Sequence, residues 1–396
     1  MDSMSDLCRK PSDSQSTAVI ATTIATTITL WWLARWTLYP QRKPIIAGPL
    51  TTTIPKLSRE ELAQVPYQPD HFPGARDVVT PYGNTRVYEF GPEDGRKVLF
   101  LHGISTSCMT LSDIAHGLAA KGCRVMLYDL FGRGYSDGIG DLPFDTRLFT
   151  AQILLVLASS PLSWTGTDAI SIVGYSLGGG IAVNFAAAFP HMVASLVLLA
   201  PAGLIRPENI GRASRLVFTS GVVPERLLET LTKRRLRTPI GNAVARRRMS
   251  VAEDAVLGER KEGFVDAAVQ EAVDPSGNGT AEAPVSPIEA KIAAYVHWML
   301  DGHEGFVPAF MSTIRFAPLM GQHEHWRELA KRRPGTTAII LGRTDELIQK
   351  HDYAEDALPL VGGKENVFWR IVPGGHNFPF TNSREALEAI YEFWGM

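Results

Sequence analysis

The chain predicts an α/β fold: a mostly parallel sheet with helices on both faces, a helical insertion before the last strands, and a membrane-spanning helix ahead of it all. Three observations carry this expectation. Short runs rich in β-branched and apolar residues alternate with helix-length stretches, as a parallel sheet joined by crossover helices requires. The alternation stops between about Ile205 and Arg333, where the chain stays helix-prone. An uncharged run, Ala18 to Ala34, precedes the whole pattern. With 396 residues, 45% hydrophobic and 20% charged, the chain can bury a large core, which excludes wholesale disorder and collagen-like structure. Its 39 basic and 41 acidic side chains leave a net charge of −2, so no global field recruits nucleic acid.

Residues 1–17 form a polar tail rich in Ser and Asp. Ala18 to Tyr39 follow as the expected anchor; at about 1.5 Å per residue they span roughly 33 Å, enough for the hydrocarbon core of a bilayer. Trp31, Trp32, Trp36 and Tyr39 gather at one end, where aromatic rings settle at the headgroup level, and Arg35 can snorkel. A cleaved signal peptide is the alternative, but bulky residues rather than a small-x-small site follow the apolar run. Arg35, Arg42 and Lys43 outnumber Arg9 and Lys10, which puts the rest of the chain in the cytosol by the positive-inside rule. The proline-rich residues 40–75 read as a linker.

Strands are expected at Thr85–Phe90, Val98–Leu101, Arg124–Tyr128, Ala169–Val173, Leu196–Leu199, Thr337–Leu341 and Phe368–Val372; several are almost wholly apolar, as strands buried on both faces are. Helices are expected at Leu111–Lys121, Thr146–Ala158, Leu177–Phe189, Asp352–Val361 and Arg384–Phe393. Residues 76–204 and 334–396 then make the core, and 205–333, with a soft Gly/Pro/Ser loop from Asp274 to Pro287, make a cap over one sheet edge. Cys8, Cys108 and Cys123 have neither the number nor the spacing of a disulfide framework or zinc site, which fits a reducing compartment.

The expected strand ending at Val173 leads into Gly174-Tyr175-Ser176-Leu177-Gly178 and a glycine- and alanine-rich helix. A serine on a sharp strand-to-helix turn needs glycines two positions to either side, presents its hydroxyl, and faces the positive end of the following helix. The plainer alternative is a glycine-rich turn with an idle serine.

On this motif the chain resembles the α/β-hydrolase superfamily from about Thr85 to the C-terminus, the cap apart. The resemblance implies Ser176 as nucleophile and the backbone N–H groups of Ile104, in the loop after His102-Gly103, and of Leu177 as an oxyanion hole. Asp129 to Asp137 matches the family's D-x-x-G-x-G-x-S turn, expected to be structural. His376 lies beyond the last strand, where family members carry their catalytic histidine, and Asp345 follows the preceding strand; Glu346 is the rival acid. The order Ser176, Asp345, His376 is the one this fold uses. A serine at the elbow argues against epoxide hydrolase and haloalkane dehalogenase activity.

Other candidates read as structural. His323 and His325 diverge on a helix without further ligands, and the resemblance implies that His102 packs under the oxyanion loop. No metal, flavin or nucleotide motif occurs, so no cofactor is expected. Lys233, Arg234, Arg235, Arg237, Arg246, Arg247 and Arg248 form an acid-free basic stretch that reads as a solvated or internally paired face, or as a contact for anionic headgroups. Asn278-Gly-Thr280 is a sequon of the kind that chance supplies. With an anchor before a capped serine hydrolase, the chain resembles membrane-bound monoacylglycerol lipases, which implies an esterase or lipase acting on lipid-like esters. Phe306 to Phe316, Trp298 and Met299 either line an acyl tunnel or form the cap's own core. Hydrolysis of a thioester, a lactone or a carbon–carbon bond, and a non-catalytic hydrolase-fold binding protein, are the alternatives.

Overall fold

The computed structural model describes residues 13–38, 42–166, 169–209, 217–218, 223–237 and 286–396. Among them one sheet of eight strands forms: β1 (Ala75–Thr80), β2 (Gly83–Phe90), β3 (Lys97–Leu101), β4 (Arg124–Tyr128), β5 (Ile170–Tyr175), β6 (Val193–Leu199), β7 (Thr337–Gly342) and β8 (Phe368–Val372). Their order is β8-β7-β6-β5-β3-β4-β2-β1. The pairings from β8 to β4 are parallel, and β4-β2 and β2-β1 are antiparallel. The chain adopts the expected α/β class. β5 and β7 are buried at every position, which is why their sequences are nearly continuous apolar runs.

The sequence missed β1. Its Ala-Arg-Asp-Val-Val-Thr carries charge and alternates exposed with half-buried positions, as an edge strand does, and it begins where the linker was expected. The linker expectation also differs from the structure, because residues 42–75 pack onto the domain. Tyr67 and Phe72 are fully buried, and Ile45–Ile46 pair antiparallel with Gly138–Ile139. The prolines there shape turns and short helices rather than a spacer.

Among the described residues, the α-helices of six residues or more are α1 (Asp13–Leu38), α2 (Ser112–Ala120), α3 (Thr146–Ala158), α4 (Leu177–Ala188), α5 (Glu225–Leu236), α6 (Pro287–Gly302), α7 (Phe306–Phe316), α8 (His323–Glu328), α9 (Lys350–Leu360) and α10 (Ser383–Trp394). α2 and α10 pack together on one face of the sheet; α4 lies on the other with α3 and α8 beside it. Asp145 starts α3, its carboxylate accepting from the Arg147 and Leu148 amides at 3.0 and 3.2 Å.

Four of these helices, α5 to α8, lie between β6 and β7. Met299, Phe306, Phe310 and Met311 are fully buried there, inside the same apolar cluster as the sheet. Arg246 to Arg248, the Asp274–Pro287 loop up to residue 285, the Asn278 sequon, Tyr39 and Cys8 fall outside the described residues. α1 holds one stretch, Ser16–Ala34, long and apolar enough to cross a bilayer, with none of it buried against the protein. Four of its threonines, Thr22, Thr23, Thr27 and Thr29, satisfy their hydroxyls within the helix, each donating to the carbonyl four residues earlier.

Candidate active site

The sheet register assembles the site. Leu101 pairs with Gly174, Tyr175 with Leu199, Leu199 with Ile340, and Gly342 with Val372. Ile104, Ser176, Asp345 and His376 therefore emerge a few residues past the carboxyl ends of β3, β5, β7 and β8, along one rim of the sheet. In an open parallel sheet this rim is where ligands bind.

At the rim Ser176 adopts φ 52°, ψ −118°, in the left-handed half of backbone space that a non-glycine residue enters only under constraint. Its N–H donates to Leu199 O at 3.0 Å, and its carbonyl accepts from Gly179 and Ala202 at 2.9 Å each, so the elbow is held from both sides. Glycine at 178 is obligatory, since a Cβ there would lie 2.1 Å from Leu101 O. Leu177 opens α4, and its N–H is one of the first four in a helix, which have no partner within the helix.

Ser176 Oγ lies 2.9 Å from His376 Nε2, and His376 Nδ1 lies 2.8 Å from Asp345 Oδ2. Asp345 Oδ1 accepts the Leu347 and Ile348 amides at 2.9 and 2.7 Å. All three side chains are buried, with relative exposures of 5%, 3% and 6% for Ser176, His376 and Asp345. An ionised carboxylate only accepts, so Nδ1 carries the imidazole proton and Nε2 accepts from the serine hydroxyl. The arrangement can withdraw a proton from Ser176 and stabilise the resulting imidazolium. Glu346, the rival acid, is exposed.

His102 is fully buried beneath the loop after β3, donating from Nδ1 to Gly103 O at 2.8 Å and accepting at Nε2 from the Leu130 amide at 2.9 Å. Both bonds fit only the neutral ring, and burial pulls its pKa down to about 3. His323 is exposed, and no cluster of metal-ligating side chains occurs among the described residues. In the Asp129 turn, the carboxylate accepts from the Cys108 and Tyr135 amides at 3.2 and 3.0 Å, and burial pushes it up to about 6.

Two further residues border the site: Arg133, at a variable position of the Asp129–Asp137 turn that the sequence marks only as structural, and Asn377, which carries no sequence signal. Arg133 donates from Nε to Ile104 O at 3.1 Å, and Asn377, next to His376, donates to Glu289 Oε1 at 3.1 Å. Both contacts join separate segments of the chain, so their partners cannot be read from a local pattern.

Comparison with known proteins adds relatives to this geometry. The model of the alpha/beta hydrolase fold family matches residues 97–383. A serine hydrolase-like protein of Danio rerio is 33% identical over 129 residues, 32% of this chain and 38% of that protein. The monoglyceride lipase of Mus musculus is 28% identical over 108 residues, 27% of this chain and 35% of that protein. The matched stretches thus span less than two fifths of these relatives. Among solved structures, the naproxen esterase of Bacillus subtilis superposes with a TM-score of 0.53 at 18% identity, covering 81% of this chain and 90% of that one, a likeness of fold.

Proposed function

The chain belongs to the α/β-hydrolase fold family, and from that premise we propose that it is a membrane-anchored serine hydrolase cleaving carboxylic esters of lipid-like substrates, of the esterase or monoacylglycerol-lipase type. The observation that carries the proposal is the unbroken chain of hydrogen bonds from Ser176 Oγ through His376 to Asp345. In this reading Ser176 attacks the ester carbonyl while His376 Nε2 takes the hydroxyl proton. Asp345 holds the tautomer and the imidazolium. The N–H groups of Ile104 and Leu177 receive the oxyanion, each worth about 3 kcal/mol of barrier. The tetrahedral adduct collapses as His376 protonates the departing alcohol, and water, activated by the same imidazole, releases the acid from the acyl-enzyme. No cofactor enters.

Lipid-like substrates are supported by the apolar stretch of α1 and by the surface next to it. Arg42, just past α1, pairs with Glu229 of α5 at 3.0 Å. The exposed face of α5 combines Leu227 and Leu231 with Arg226 and Arg234, the mixture of apolar and basic side chains that suits a bilayer surface. Residues 76–204 and 334–396 are the catalytic core and 205–333 the cap in this proposal, with the core on the cytosolic side. The elbow and imidazole would serve a thioester, a lactone or a carbon–carbon bond equally well.

A fluorophosphonate probe tests the nucleophile. The full chain labels, Ser176→Ala abolishes the labelling, and a panel of glycerides, simple esters and acyl thioesters then ranks monoacylglycerols first. A folded chain that does not label points instead to a non-catalytic binding protein, and a thioester at the head of the panel replaces the ester reading.

A further inference from the structure

The turn from Asp129 to Asp137, which the sequence marks only as a tight structural motif, is where the inserted helices seat. From α6, Tyr295 Oη accepts the Gly134 amide at 2.9 Å. His303, just past α6, donates from Nε2 to Ser136 O at 2.9 Å. From α7, Thr313 Oγ1 accepts from Arg133 Nη2 at 2.8 Å, and Ala309 sits so close over Gly132 that a Cβ there would be 2.4 Å from its own. Arg133 is fully buried. Its guanidinium faces two ways: Nη2 reaches α7, whereas Nε donates to Ile104 O at 3.1 Å and Nη1 to Phe131 O at 3.1 Å. The Thr313 hydroxyl hydrogen is already given to Ala309 O at 2.7 Å, so toward Arg133 this oxygen can only accept.

We propose that Arg133 is a positioning residue that ties the seating of α7 to the conformation of the loop carrying the Ile104 N–H, so that the oxyanion donor is aligned only while the inserted helices are docked. The inference rests on the serine hydrolase reading above. A planar guanidinium with donors fixed in fork geometry transmits such a constraint better than a flexible ammonium, because it holds two carbonyls and a hydroxyl at once. A shift of the donor by a fraction of an ångström matters in the transition state, where the oxyanion forms, and little in the ground state. The signature is therefore a fall in kcat at constant KM.

The experiment uses the full chain in detergent with a soluble short-chain ester, each rate divided by the concentration of sites titrated with fluorophosphonate. Thr313→Val, which keeps the shape of the side chain but removes the acceptor, lowers kcat per titrated site by roughly tenfold with KM unchanged. It weakens a trifluoromethyl ketone inhibitor by the same factor, since that ligand also places an oxyanion in the hole. Thr313→Ser restores both values, and Arg133→Lys falls further than Thr313→Val. A purely architectural bond would lower the titratable fraction and leave kcat per site and inhibitor affinity untouched, and that result overturns the proposal. A wild-type chain that neither labels nor hydrolyses ester overturns the serine hydrolase reading instead.

Discussion

Asp345 and Glu346 are adjacent acids, and their surroundings separate them. The Asp345 carboxylate is held by two backbone amides and points its other oxygen at His376 Nδ1, whereas Glu346 is exposed. Asp345→Asn should therefore lower kcat/KM by several orders of magnitude through loss of the correct tautomer, and Glu346→Gln should leave it within about twofold; ester turnover by the two variants checks the assignment. The buried histidines set a second expectation. His102 and His303 stay neutral in the fold, with burial pulling them to about 3 and about 4. Both are depressed below the value near 6.5 of the unfolded chain, so the stability they favour is present above pH 6.5 and is lost as acid protonates the unfolded chain first. Asp129 acts oppositely: its carboxyl, raised to about 6 by burial, binds a proton in the fold before it does in the unfolded chain and regains stability between about pH 6 and 4. His71, pulled to about 4 chiefly by its partial burial, loses in the same window, so three histidines lose and one carboxyl gains, and urea midpoints should fall from pH 6.5 toward 4.5. His303→Gln should reduce the slope of unfolding free energy in that window by about 1.4 kcal/mol per pH unit, measured by urea titration.

The element that matters most is the turn from β5 into α4, because backbone geometry alone presents Ser176. Gly178 lies so close to Leu101 O that Gly178→Ala must displace the end of β3 or the start of α4. It should cost about 2 kcal/mol or more, read as a lowered urea midpoint, and reduce labelling by fluorophosphonate even where the chain folds. This turn was legible in the sequence because its constraint is local: five consecutive residues carry it, flanked by an apolar strand and a helix. The central strands β5 and β7 were legible for a related reason, since burial at every position leaves mostly apolar residues to choose from. β1 was not, because an edge strand exposes one side and its Arg76 and Asp77 look like loop residues. The packed segment around Tyr67 was also missed. Its hydroxyl reaches Tyr88 Oη at 2.9 Å and Asp129 Oδ2 at 3.2 Å, contacts between residues remote in sequence. The same holds for Arg133 with Thr313 and for Asn377 with Glu289. Motifs reveal which residues react; the groups that hold those residues still come from wherever the fold brings a donor to an acceptor.

At the scale of the whole molecule, the boundary between α1 and the domain lies earlier than a proline-rich linker suggests. Arg42 already pairs with α5, Ile45–Ile46 extend a ribbon, and Tyr67 stands fully buried beside Asp129. Two truncations should therefore behave differently. Without residues 1–40 the chain loses α1 but keeps every one of those contacts; it should purify without detergent, hold its activity on soluble esters, and no longer sediment with zwitterionic vesicles. Without residues 1–75 it loses the Tyr67 and Phe72 rings from the core, several kcal/mol of burial, and should be insoluble or unfolded at neutral pH. The shorter truncation also isolates the surface beside α1. With Leu227, Leu231, Arg226 and Arg234 still exposed on α5, it should retain weak binding to vesicles rich in anionic lipid, and that binding should vanish on raising the salt, because screened headgroups no longer attract the arginines. Sedimentation at several salt concentrations separates the two contributions: if the chain lacking residues 1–40 still pellets with zwitterionic vesicles, α1 is not what holds the protein to a membrane.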